Sequence, residues 1–148
     1  MQRLFTAFIA LLVSVPVFAG CGEFGERVAK SMEGEHRSES NIARNQYRHP
    51  VETLTFFGIE DGMTVMEIWP GGGWYTEVLA PAMRGHGKLV IATWDPAVKD
   101  QPKYRYSLPK KMQETFEKYP DIYDQVETVF FSQPESASLG EAESVDMV

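Results

Sequence analysis

Basic residues are scarce in this sequence: 14 lysines and arginines stand against 21 acids, for a net charge of −7. Nucleic-acid phosphates need a basic face, so the balance argues against such a partner and favours a small-molecule ligand. Cysteine is reduced to Cys21, which excludes an internal disulfide. Histidine is nearly as sparse: His36 and His86 read as solvent-facing, and no spacing of His, Cys and acids suggests a metal site. Repeats and low-complexity tracts are missing too. The leading apolar run, Leu4 to Val15, is too short for a comfortable transmembrane helix. What is present, 148 residues with 43% hydrophobic content, fits one globular domain.

Arg3, the apolar run behind it and the small-residue pattern Val17-Phe18-Ala19 before Gly20 make residues 1–20 a signal peptide. The chain is therefore expected to be exported, either periplasmic or lipid-anchored in the cell envelope. Phe18-Ala19-Gly20-Cys21 looks like a lipobox with Phe at an aliphatic position. Cleavage after Ala19 is preferred over lipid attachment to Cys21, and that lipid is the one membrane link in prospect. Residues 21–45 follow as a polar, weakly packed lead-in helix, with Val28, Met32 and Ile42 as its sparse apolar points.

Residues 46–148 alternate helix and strand. Pro50 suits a first helical position and Gly58 the residue beyond a helix end, so Val51 to Phe57 reads as a short helix carrying Val51, Leu54, Phe56 and Phe57 into the core. Asp61-Gly62 turns into a strand, Val65 to Trp69, which Pro70 ends. After three glycines a helix runs from Trp74 to about Arg84, bent at Pro81, with Tyr75, Val78, Leu79, Ala82 and Met83 on one face. A second strand covers Lys88 to Trp94, residues 97–106 form a loop, and Ser107 caps a helix lined by Met112, Phe116 and Tyr119. A third strand spans Gln125 to Phe131, and Ser144 to Val148 starts a fourth. Strands joined through helices imply parallel βαβ units. The expected fold is α/β: a Rossmann-like, doubly wound, mostly parallel sheet that reads as truncated in the fourth strand, with no helices left for its second face.

Chemistry concentrates from Thr64 to Thr76, TVMEIWPGGGWYT. A glycine turn between strand and helix lets a ligand lie against bare backbone, where helix N–H groups point outward. Glu67 puts an acid on a core strand, either as a pocket carboxylate or as a buried acid paired locally. Asp95 comes 22 residues after Gly73, at the end of the second strand. There it either accepts both ribose hydroxyls of a nucleoside or serves as a turn residue before Pro96. Tyr75 reads as core and Trp74 as a wall of the pocket. Arg44, Tyr47, Arg48 and His49 form a polar cluster with two readings. In one they close over the ligand or bind an anionic substrate, with His49 as a base; in the other Arg48 and His49 pair with acids such as Glu52 and cap the short helix.

The run VMEIWPGGGWYTEVLAP, with YRHPVETLTFFGI before it and KLVIATWDP after it, resembles the exported group of predicted class I S-adenosylmethionine-dependent methyltransferases. The likeness runs from about Arg44 to Val148 and makes residues 46–148 the N-terminal part of such a domain. It implies the cofactor S-adenosylmethionine, contacted by Glu67, Gly71, Gly73 and Asp95, with Glu67 serving the ligand's ammonium; Gly72 and Trp74 of the same turn complete the candidate cofactor-binding set. It implies methyl transfer to a small molecule, for which the polar cluster offers Arg48 and His49 as candidate contacts, adenine recognition near Ser132-Gln133, and catalytic residues beyond Val148. Trp69 stands where the general class I pattern has glycine and crowds the methionine end of the pocket. Two other functions stay open. One is a non-catalytic exported nucleoside- or metabolite-binding protein; the other is a NAD-dependent oxidoreductase, disfavoured by Thr76 in the third glycine position of GxGxxG.

Overall fold

The computed structural model describes residues 22–134 and 138–148, so the signal peptide and Cys21 lie outside the described residues. Helices α1 (Gly22–Ser31), α2 (Glu39–Ile42), α3 (Asn45–Arg48) and α4 (Pro50–Phe56) precede the first strand, β1 (Thr64–Ile68). Helix α5 (Thr76–Met83) leads to β2 (Lys88–Thr93), and α6 (Lys103–Lys118) with α7 (Pro120–Tyr123) leads to β3 (Val126–Phe130). The strands pair in parallel in the order β1-β2-β3, with Glu67 opposite Ile91 and Ile91 opposite Thr128. The chain is thus an α/β protein with a small parallel sheet, each crossover made through helix. No described helix is long and apolar enough to cross a membrane.

The chain then returns to the edge of β1 that β2 leaves free. Val65 bridges Met147 in parallel, Met66 N–H donates to Met147 O at 2.8 Å, and Thr64 N–H donates to Asp146 Oδ2 at 2.7 Å. Strand order therefore reverses at β1, and one bridge stands where a fourth strand was expected.

Alternation along β1 sends Val65 and Met66 to opposite faces. On the first face Val65 and Leu89 meet Val28 of α1, Val51 and Leu54 of α4, and Val78, Leu79 and Ala82 of α5 in one buried cluster. On the second, Met66, Val90, Ala92 and Phe131 are covered by Leu139 and Val145 rather than by a helix.

Several expectations need correction. The lead-in is firmly packed: Phe24 and Val28, one turn apart, are both buried. Arg27 fastens the same helix, its Nε–H donating to Ala82 O near the end of α5 at 2.8 Å and its Nη2 pairing with Asp61. Such terminal carbonyls have no partner within their own helix. Phe56 and Phe57 stay outside the core, 86% and 52% exposed. With Val51 and Leu54 turned inward, Phe56 falls two residues round the helix from Leu54 and faces away. Helix α6 starts at Lys103, a turn ahead of Ser107, because Pro102 just before it already holds φ −56°. Helix α5 starts at Thr76, since residues 71–75 form the turn.

Candidate functional site

Strand β1 ends in a kink. Trp69 takes φ +49°, a left-handed conformation that favours glycine, while its N–H still donates to Ala92 O at 2.7 Å. Its indole is 45% exposed and stacks on Trp94, ring centres 5.8 Å apart and planes within 6°. Pro70 stops the ladder. Gly71 and Gly73 follow at φ +60° and +74°, with Gly73 N–H donating to Pro70 O and Glu77 N–H to Gly73 O, both at 2.9 Å. A Cβ at Gly71 or Gly72 would meet nothing within 4 Å, so these residues border open space. At Gly71 the backbone angle, not crowding, asks for glycine.

Glu67 is half-buried at the foot of this turn, and Thr76 Oγ1–H donates to its Oε2 at 2.6 Å. Burial pushes its carboxyl up to about 7, against the Thr76 bond and the Arg48 charge, which both favour the ionised form. The acid is therefore paired locally through one oxygen, while the other has no partner among the described residues. Arg48 reaches the same place from α3. Its guanidinium lies over the rings of Trp74 at 4.7 Å and Tyr75 at 5.4 Å. Those ring faces and the charge of Glu67 hold Arg48; among the described residues no ion pair joins it to Glu52, which corrects that expectation. His49 links α3 to α4 at φ +43°, exposed, and its side chain caps neither helix. Of the polar cluster, then, only Arg48 converges on the loop.

Asp95 lies two residues beyond β2 and four beyond Ile91, the register partner of Glu67, so the two acids belong to adjacent strands but sit at different levels along them. Its Oδ1 accepts Ala97 N–H at 2.8 Å, and its own N–H donates to Ser132 Oγ at 2.7 Å. Turn formation thus engages one oxygen and leaves Oδ2 without a partner among the described residues. Ser132 is buried, and its Oγ accepts the Asp95 N–H.

Behind the loop the groups are of another kind. Trp74 is 3% exposed, and its indole N–H donates to Asn41 O at 2.8 Å, so it backs the glycine turn from within the core rather than walling a pocket. Tyr75, expected in the core, is half-buried and meets Trp74 edge-on at 4.7 Å. His36, expected in solvent, is buried, its Nε2 donating to Glu77 O at 2.7 Å. The Glu77 carboxylate accepts from Asn41 Nδ2 at 2.9 Å and from Arg37 Nε at 3.4 Å, and Arg37 Nη1 goes on to Asn45 Oδ1 at 3.1 Å. Burial pulls the Arg37 guanidinium down from its ordinary value while Glu77 opposes the shift; burial likewise raises the Tyr123 hydroxyl. A cavity of about 470 Å³ opens on this side, lined by Gly71, Gly72 and Gly73 with Ser38, Lys111 and Tyr119, and neither Glu67 nor Asp95 lines it. Sequence reasoning missed the network. The one available signal was Glu77, a charge set inside an otherwise apolar helix.

In comparisons with protein-family models, curated proteins and solved structures, none matches this chain.

Proposed function

We propose that the chain has a Rossmann-like fold of the class I methyltransferase type, and that it binds S-adenosylmethionine and transfers its methyl group to a small molecule. What supports this reading is an open glycine turn at the point where strand order reverses, with an acid near the carboxyl end of each flanking strand, Glu67 in β1 and Asp95 after β2. Each is bonded through one oxygen, with the other unpartnered among the described residues. Ligands of open α/β sheets enter at such points, beyond the carboxyl ends of the strands. When bound, adenosylmethionine supplies a methyl carbon on a cationic sulfur, which leaves as a neutral thioether once an acceptor's lone pair takes the methyl. Glu67 would hold the ammonium, which in turn would favour its ionised form. Asp95 Oδ2 would receive the ribose hydroxyls, and Gly71 and Gly72 would let the ligand approach the backbone. The chain's task is orientation and exclusion of water. Thr76 argues against NAD, since it fills the place where a dinucleotide fold wants its third glycine and its hydroxyl is engaged by Glu67.

Calorimetric titration of adenosylmethionine, with NAD as comparison, into wild type and Asp95→Ala tests the reading. Selective binding of adenosylmethionine that weakens at least about tenfold in the variant is expected, the value of a hydrogen bond to a charged group. Binding of neither ligand by folded protein would sink it. Binding with no methylated product in a metabolite extract would turn the assignment to the non-catalytic alternative.

A further inference from the structure

The network behind the glycine turn leaves two donors out. Arg37 Nη2 and the Tyr123 hydroxyl are both withdrawn from water, and neither has a partner among the described residues. The Arg37 side chain is wholly buried; its Nη1 donates to Met32 O at 3.2 Å and to Asn45 Oδ1 at 3.1 Å, and its Nε to Glu77 at 3.4 Å. A buried donor with nothing to accept from it is costly. Both residues line the same cavity, the one of about 470 Å³ that the glycine turn borders.

The other lining groups are of two kinds. Lys111 and Lys118, both exposed, bring positive charge, while Met112 and Phe116 bring apolar surface from α6. Three cationic side chains thus stand against two acids, Glu35 and Glu77. Of these, Glu35 is exposed and Glu77 already accepts from Asn41 and Arg37 through both oxygens. In a chain whose acids outnumber its bases 21 to 14, the balance is locally reversed. At Gly71 and Gly72 a Cβ would meet nothing within 4 Å, so a ligand in the cavity can approach bare backbone.

We infer that this cavity binds a small organic anion, whose carboxylate or phosphate accepts from Arg37 and Tyr123 and whose apolar body packs on Met112 and Phe116. A guanidinium N–H and a phenolic O–H are donors that an oxyanion accepts, and such bonds are among the strong ones. A cationic ligand would meet three like charges, and a neutral apolar one would leave both buried donors unsatisfied. The volume lies in the range of small-molecule sites. Because neither Glu67 nor Asp95 lines the cavity, the inference does not rest on the methyl-transfer reading.

¹⁵N-labelled protein would be titrated with phenylacetate, phenyl phosphate and the neutral phenylacetamide, following the Arg37 Nε–H signal and the amides of Gly71 to Gly73. The expected result is saturable movement of these signals with at least one anion and none with the amide at the same concentrations; the tighter anion identifies the headgroup. Tyr123→Phe keeps the ring stacked on Phe116 at 4.5 Å and removes only the unpartnered hydroxyl. Its melting temperature should therefore not fall, while anion affinity drops about tenfold, the value of a hydrogen bond to a charged group. Equal response to phenylacetamide would overturn the inference by making the cavity a general apolar pocket. No response to either anion, or undiminished affinity in Tyr123→Phe, would overturn it as well. Adenosylmethionine, which carries a carboxylate of its own, is then added to the anion-bound protein, its binding followed by calorimetry. Displacement of the anion would overturn the inference by giving the cavity to the cofactor, and simultaneous binding of the two supports it. If the anion binds and adenosylmethionine does not, the methyl-transfer reading fails and the anion site stands.

Discussion

Behind the glycine loop Glu77 is buried with both carboxylate oxygens bonded, while in front of it Glu67 and Asp95 are half-buried and each bonds through a single oxygen. The same contrast runs through the other groups. Trp74 is buried with its N–H satisfied, but Trp69 is strained and half out in solvent; Arg37 is tied into a network, but Arg48 lies over two ring faces. A buried polar group is costly unless bonded, so the bonded groups of the rear form a framework that fixes α5 and the turn before it. Exposure lifts that demand at the front. Asp95 and Trp69 are partly exposed there, whereas Glu67 shows the cost of its burial as a carboxyl pushed up to about 7; these are the groups a ligand can use.

Removing the rear carboxylate should have the largest effect. Glu77 is the counter-charge within bonding reach of Arg37, whose Nη2 has no partner among the described residues. Glu77→Ala would leave a buried cation uncompensated and should cost on the order of 3–5 kcal/mol in urea denaturation. Joining Arg37→Met to Glu77→Leu should recover most of that loss, because an apolar pair of similar size needs no solvation. A single substitution costing under about 1 kcal/mol would break the division between framework and site.

The front carboxylate predicts the opposite sign. Glu67 rises from an ordinary 4.5 to about 7 on folding. Between those two values the folded chain holds a proton that the unfolded chain has released, so stability falls as pH rises through the window and the loss is complete above about 7. The full shift corresponds to roughly 3 kcal/mol. Glu67→Gln, neutral throughout, should match wild type below pH 4.5 and exceed it at pH 8, as measured by denaturation midpoints across pH 4–8. Affinity for adenosylmethionine should run the other way in wild type, rising toward pH 8 as Glu67 ionises, and should lose that dependence in the variant. Superimposable stability profiles for the two proteins would show that burial does not hold Glu67 protonated.

How much of this was legible in the sequence depended on whether a feature is local. Pro50 and Gly58 bracket α4 because one fixes φ and the other adopts φ +73°, properties of single residues. The strands appear as apolar runs and agree with the observed limits to within two residues at each end. The glycine turn was readable for the same reason. The rear network was not: Asn41 reaches Glu77 across 36 residues and His36 across 41, and no periodicity in a polar lead-in announces such partners. Trp74 was misplaced because a tryptophan after three glycines looks free to line a pocket, while its N–H is taken by a carbonyl of the lead-in. At Asp95 the two readings could not be separated by sequence, since a turn and a ligand engage different oxygens of one carboxylate.

That last point yields the smallest predicted effect on folding and the finest test of the contrast. Asp95→Asn keeps an acceptor for Ala97 N–H in the position of Oδ1 and leaves the Asp95 N–H to Ser132 Oγ bond untouched. The turn therefore persists, and stability should stay within about 0.5 kcal/mol of wild type, as for substitutions that disturb no buried contact. What the amide loses is charge and the second acceptor oxygen. Adenosylmethionine affinity should accordingly fall about tenfold or more, with the melting temperature unchanged, because hydrogen bonds to a charged group are worth about 1.5–3 kcal/mol. A destabilised variant with unaltered affinity would place Asp95 in the framework, and the front of the loop would then retain Glu67 alone as an acid free to meet a ligand.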